Sequence, residues 1–89
     1  MRFVSATGSQ LEAAGRIAEA MAGYKRGLDA DPLAEEFYQG LMRCHAVQGR
    51  AAEAASVFRQ LKQVLSVVNG TEPSQVSKGL HARLSEASP

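Results

Sequence analysis

The sequence predicts an all-α fold, a stack of two helical hairpins closed by a C-terminal capping helix. Three observations lead there. The block Gly15-Arg-Ile-Ala-Glu-Ala-Met-Ala-Gly-Tyr-Lys-Arg26 returns as Gly49-Arg-Ala-Ala-Glu-Ala-Ala-Ser-Val-Phe-Arg-Gln60, every equivalent pair 34 residues apart. Apolar residues recur at spacings of three and four, the helical period, and no segment alternates as a strand would. Helix punctuators (Gly15, Asp31-Pro32, Gly49 and Asn69-Gly70) fall between the periodic segments.

A 34-residue period is that of tetratricopeptide repeats, each unit a helix–turn–helix. The expected architecture is a tetratricopeptide-like right-handed stack in one domain over 1–89. Repeat one covers about residues 1–34, repeat two about 35–68, and the capping helix about 74–85. The repeated residues have a packing role. Ala20 and Ala54 let two helix backbones approach closely. Tyr24 and Phe58, one turn later, fill the wedge where the helices diverge. Gly15 and Gly49 end the preceding helix by adopting positive φ.

The first helix is expected over Phe3–Ala13, with Phe3, Val4, Thr7, Leu11 and Ala14 on one face. The second, Arg16–Leu28, carries Ile17, Ala20, Met21, Tyr24 and Leu28 on one face. The third, Pro32–Gln48, takes Asp31 as N-cap and Pro32 at its first position, where the missing N–H costs nothing. Its ridge is Leu33, Phe37, Leu41 and Cys44, widened by Tyr38 and Met42, and Glu35 and Glu36 in its first turn suit the helix dipole. The fourth, Arg50–Val68, carries Ala54, Phe58, Leu61, Leu65 and Val68 and ends at Asn69-Gly70. The fifth, Ser74–Ser85, is capped by Ser74, points Val76, Leu80 and Leu84 inward, and frays from Glu86 onward. It covers the apolar edge that an open stack leaves.

Composition narrows the function. The chain has 89 residues with 10 Lys and Arg against 9 Asp and Glu, a formal net charge of +1. A dedicated nucleic-acid surface carries a basic excess, so direct nucleic-acid binding is not expected. No apolar run approaches the ~20 residues that span a bilayer, and no signal-peptide core opens the chain, which reads as cytoplasmic with no membrane contact. One cysteine, Cys44, cannot form an internal disulfide.

Residues that suggest chemistry each have a plainer reading. Cys44 and His45 are adjacent on a helix, so their side chains diverge by roughly 100° and do not share one ion. Structural zinc uses four ligands, and His81 is the remaining histidine. Neither a metal, a cofactor nor a catalytic residue is expected. Gly23 and Gly27 sit inside a helical pattern and read as close packing instead of a phosphate loop. Arg59, Lys62 and Arg83 read as a solvated face. Met21 and Met42 read as core filling.

Gly27-Leu-Asp-Ala-Asp-Pro-Leu-Ala-Glu-Glu-Phe-Tyr-Gln-Gly-Leu-Met-Arg-Cys-His45, Gly49-Arg-Ala-Ala-Glu-Ala54 and Asn69-Gly-Thr-Glu-Pro-Ser74 together resemble the bacterial transcriptional activator domain. This is the tetratricopeptide-like module of antibiotic-regulatory-type activators and of large ATP-dependent transcriptional regulators. The resemblance spans about residues 11–84. Asp31-Pro32-Leu33-x-Glu35-Glu36 and Leu41-Met42-Arg43 are its specific parts, whereas the Gly-Arg-x-x-Glu-Ala block is shared by tetratricopeptide repeats at large. The chain departs from the pattern at Asn69-Gly70, where the family usually has Leu-Gly, and at Ile17, where an aromatic is common.

The resemblance implies a protein–protein interaction or oligomerisation module, a fragment of a larger regulator, without catalysis. Its partner would be another domain of the same regulator, a second subunit (a homodimer included) or the transcription machinery. The alternative is a stand-alone tetratricopeptide adaptor in chaperoning or complex assembly. In such stacks the first helix of each pair lines the groove. By register the groove positions are Arg2, Ser5, Ser9 and Glu12 on the first helix and Glu36, Gln39, Arg43 and Val47 on the third. Charge reversal at Arg43 or Glu36 is then expected to weaken partner binding and leave stability nearly unchanged.

Overall fold

The computed structural model of the chain describes residues 10–87, apart from the side chains of residues 85–87. The helical residues 10–13 form α1, followed by α2 (Ile17–Ala30), α3 (Glu35–Val47), α4 (Ala51–Asn69) and α5 (Gln75–Ala87). No strand occurs among the described residues. Most of the first expected helix, with Arg2, Ser5 and Ser9, lies outside them. Its described end is helical, and Leu11 packs against the core.

The turns follow from their glycines. Gly15 and Gly49 hold φ of 81° and 75°, the left-handed region. Past Gly15 the Arg16 N–H donates to the Leu11 carbonyl at 2.9 Å, and past Gly49 the Arg50 N–H donates to the His45 carbonyl at 2.8 Å. These are Schellman closures, which satisfy carbonyls that the helix end leaves free. Gly70, with φ 65°, closes α4 by a wider turn, its own N–H donating to the Ser66 carbonyl at 3.1 Å and the Thr71 N–H to the Leu65 carbonyl at 3.2 Å.

Several expectations need correction, among them Val68, which stands 58% exposed near the end of α4 instead of on its buried face. α3 starts at Glu35 and not at Pro32, because Asp31 spends its carboxylate locally. Asp31 Oδ1 accepts from the Leu33 N–H at 3.2 Å, a side-chain turn that competes with capping. Ala34 takes the N-cap position without a side-chain cap. The Tyr38 hydroxyl then ties this turn down by donating to the Pro32 carbonyl at 2.9 Å. In α5, Val76 faces outward at 66% exposure, and the buried positions are Ser77 and Leu80. The helix also continues through Ala87, past the expected fray point at Glu86. Ser74 does cap it, accepting from the Ser77 N–H at 3.4 Å.

The core lies where α3 packs between α2 and α4, with α5 resting on both α3 and α4. Ala20, Met42, Cys44 and Leu61 are fully buried, and Tyr24, Ala54, Phe58 and Leu65 are nearly so. Glycines bring α2 and α3 close together. A Cβ on Gly27 would lie 2.6 Å from the Phe37 ring, and one on Gly40 would run into the Tyr24 ring. Two aromatic rings from opposite helices therefore seat on two backbone gaps. This is the close packing expected of Gly27, whereas Gly23 meets only the tip of Arg26. The packing order is compatible with tetratricopeptide-like stacking.

Candidate functional site

The α1–α3 face gathers three of the expected groove residues. Glu12, the last but one residue of α1, receives a bidentate fork from Arg43 of α3. Arg43 Nε donates to Glu12 Oε2 at 2.8 Å, and Nη2 donates to Oε1 at 3.1 Å. The Tyr24 hydroxyl of α2 donates to Oε1 at 2.8 Å, so one carboxylate ties three helices together. Its side chain is only 17% exposed and that of Arg43 is 39% exposed. Burial pushes the Glu12 carboxyl up, but the hydrogen bonds from Arg43 and Tyr24 outweigh it and hold the group below the usual carboxylate range. The same pairing raises the Arg43 guanidinium, against the pull of burial.

Beside this pair lies a shallow cleft lined by Glu12, Ala13, Gly15, Ile17, Arg43 and Val47. Val47 is 67% exposed. Glu36 is exposed near the opposite end of α3. Gln39 does not join the cleft. Its Nε2 donates to the Ser77 hydroxyl of α5 at 2.8 Å. Arg2, Ser5 and Ser9 lie outside the described residues. Arg43 is therefore no free surface charge, and its reversal would leave a half-buried carboxylate facing a second one. Glu36 is exposed, whereas Arg43 is engaged in an internal ion pair that the expectation of unchanged stability does not include.

A second polar cluster fastens α5. Glu35 Oε1 accepts from the Ser74 N–H at 3.0 Å and from the Ser77 hydroxyl at 2.8 Å. Glu35 thus stands in the first turn of its own helix and also closes the N-terminus of another. Burial raises its carboxyl, and the bonds from Ser74 and Ser77 overcome that and hold it low. Ser77 is completely buried and satisfied as both acceptor and donor.

Cys44 is buried, and burial pushes its thiol up to about 11, with the Glu12 charge adding to the shift and Arg43 opposing it. A thiol so far from its thiolate form is a core group and a poor nucleophile. Burial holds the His45 imidazole low, and its Nδ1 is buried without a hydrogen-bond partner. Among the described residues, no three His, Cys, Asp or Glu side chains cluster as a metal site would need.

Sequence reasoning missed both polar clusters. The helical spacing accounts for the Tyr24 ring, and its hydroxyl carries no local sign of a partner 12 residues earlier. Glu35 was read as a dipole partner of its own helix, and Ser74 and Ser77 lie 39 and 42 residues further on.

The helices stack on one another and tie charged side chains together across their interfaces. The chain matches the bacterial transcriptional activator domain family over residues 1–85 and belongs to it. It is thus a module of bacterial transcriptional regulators. Comparison with curated proteins and with solved structures returned no significant match. Among the described residues, no helix is long and apolar enough to cross a membrane.

Proposed function

We propose that the chain is a docking or oligomerisation module of a bacterial transcriptional regulator. It works in the cytoplasm, where bacterial transcription takes place, and acts by burying complementary surface without bond chemistry. The observation that carries this reading is the α1–α3 cleft. Exposed Val47 supplies apolar contact there, next to a charged pair whose geometry is already fixed by Tyr24. Anchors set before a partner arrives lose little side-chain freedom on binding. An apolar centre beside polar groups is the usual anatomy of a protein interface. The repeated hairpin supports the same reading, because stacked hairpins build surfaces of this kind. The partner is another domain of the same regulator, a second subunit or the transcription machinery.

Val47→Glu tests the proposal, since the residue is exposed and carries no internal bond. Sedimentation over a concentration series reads self-association, and a binding assay against purified bacterial RNA polymerase reads the machinery arm. At least one is expected to respond, weakening by about tenfold with an unchanged thermal midpoint. A chain that binds in either assay and is indifferent to Val47→Glu would remove the cleft from the interface.

A further inference from the structure

The near-neutral charge of the chain hides two regions of opposite sign. Between Ala54 and Leu84 the sequence carries Arg59, Lys62, Lys78 and Arg83 against the single acid Glu72. From Glu12 to Glu53, by contrast, acids outnumber bases. Two of the basic residues meet in a cleft of about 630 Å³ between α4, the following loop and α5. Its aromatic wall is Phe58 with His81 stacked on it, ring centroids 4.2 Å apart and planes 4° from parallel. Lys62 and Ser66 line it from α4, Thr71 from the loop and Lys78 from α5.

One carboxylate already rests there. Glu72, on the loop, accepts from Lys78 Nζ at 2.6 Å while its side chain stays 79% exposed. The next residue, Pro73, is buried and fixes the point from which Glu72 reaches across. An exposed carboxylate on an exposed lysine contributes little to folding. What it shows is the chemistry that the cleft accommodates.

We propose that the α4–α5 cleft receives an acidic segment of a partner protein, whose carboxylates bridge Lys62 and Lys78 while an apolar side chain rests on the Phe58–His81 stack. Glu72 is the internal group that the incoming carboxylate displaces from Lys78. A nucleic acid fits less well. Two lysines, one of them shared with Glu72, do not make the row of cations that a phosphate backbone requires, and among the described residues no arginine lines the cleft to grip a phosphate with its fork. The site shares no residue with the α1–α3 cleft, so it goes beyond the docking reading above and stands or falls separately.

The test is a titration of the whole chain with a synthetic decapeptide rich in Asp and Glu and carrying one Phe, followed by NMR. Saturable shifts are expected at Lys62, Lys78 and His81. The double variant Lys62→Gln/Lys78→Gln should weaken binding by about tenfold. Glu72→Gln, which removes the internal competitor, should strengthen it by about threefold. Val47→Glu should leave it unchanged. Inorganic phosphate and a single-stranded ten-nucleotide DNA serve as comparison ligands at the same ionic strength. The proposal is overturned by shifts spread equally over Lys25 and Arg26, by Glu72→Gln weakening the peptide, or by the DNA outcompeting the peptide at these residues.

Discussion

The two ends of the stack are fastened to α3 by different means. At the α1–α2 end, shape does most of the work. Tyr24 and Phe37 occupy gaps left by Gly40 and Gly27, and the Glu12–Arg43 pair holds the Tyr24 hydroxyl. At the α5 end there is no such interlock. Gly79 has open space where a side chain would go, and Val76 stands in solvent. That helix is held by Leu80, by the stacking of His81 on Phe58, and by a carboxylate closing its N-terminus. The two joints therefore answer to different changes. A joint made of interlocked rings resists everything except a change of volume, whereas a joint made of hydrogen bonds opens when its acceptor is removed.

The largest expected effect comes from filling a gap. Gly40→Ala forces a methyl group into the Tyr24 ring, which has no room to retreat because it is 2% exposed. A loss of about 2–3 kcal/mol is expected in urea or thermal unfolding, the range for overpacked cores. Gly79→Ala makes the same chemical change in the other region. It meets open space in a helix, so a gain of about 0.5–1 kcal/mol is expected. Equal effects at the two positions would erase the contrast.

Next comes the charged closure at the same end. Arg43→Met leaves the Glu12 carboxylate half-buried with Tyr24 as its remaining donor among the described residues. A cost of about 1–3 kcal/mol at neutral pH follows from stranding such a group. The pH dependence has a definite sign. The folded pKa of Glu12 lies below its unfolded value, so its stabilisation is present above the ordinary carboxylate range and fades as pH falls through the lowered folded value. The gap between wild type and variant should therefore narrow in acid. A gap constant with pH would mean that Arg43 acts through the packing of its stem.

A smaller and more local effect is expected at α5. Glu35→Ala removes the acceptor for Ser74 N–H and the Ser77 hydroxyl, which should cost about 1–2 kcal/mol. Hydrogen exchange distinguishes a local from a global role. Amides around Ser77 to Leu80 should exchange faster while those of α2 keep their protection. Equal acceleration in α2 would show that α5 is as integral to the fold as the glycine-packed end.

Much of this contrast has no trace in the sequence, for a physical reason. What depends on neighbours along the chain was legible: the left-handed turns at Gly15, Gly49 and Gly70, the paired Ala20 and Ala54, and the Ser74 cap. Asp31-Pro32 was legible as a break, but an aspartate at a helix entrance can cap or turn, and the choice depends on where Tyr38 reaches. The links that distinguish the two ends join Glu12 to Arg43 and Glu35 to Ser77, 31 and 42 residues apart. No local pattern encodes such pairs. The groove register places Glu12, Arg43 and Val47 on one surface, and these three line one cleft. It did not show that α5 engages Gln39 or that Glu12 and Arg43 engage each other.

The smallest effect is expected at His45, which faces away from both fastenings. Its ring shares a cleft with Lys25 and Asp29 of α2 and Glu53 of α4, and Arg50 acts on it from the turn. Burial lowers its pKa, with Glu53 opposing and Lys25 and Arg50 reinforcing. The unfolded chain therefore takes up a proton near the ordinary histidine value while the folded chain resists it. Stability falls as pH drops through that window and levels off below the folded pKa, where both states are charged. His45→Leu removes the titrating group, so its melting temperature should decline less than that of wild type over the same window, while the Glu12 dependence below pH of about 4.5 stays in both. A wild type that gains stability on mild acidification would mean that Glu53 dominates the site and that the imidazole, once charged, is paired instead of stranded.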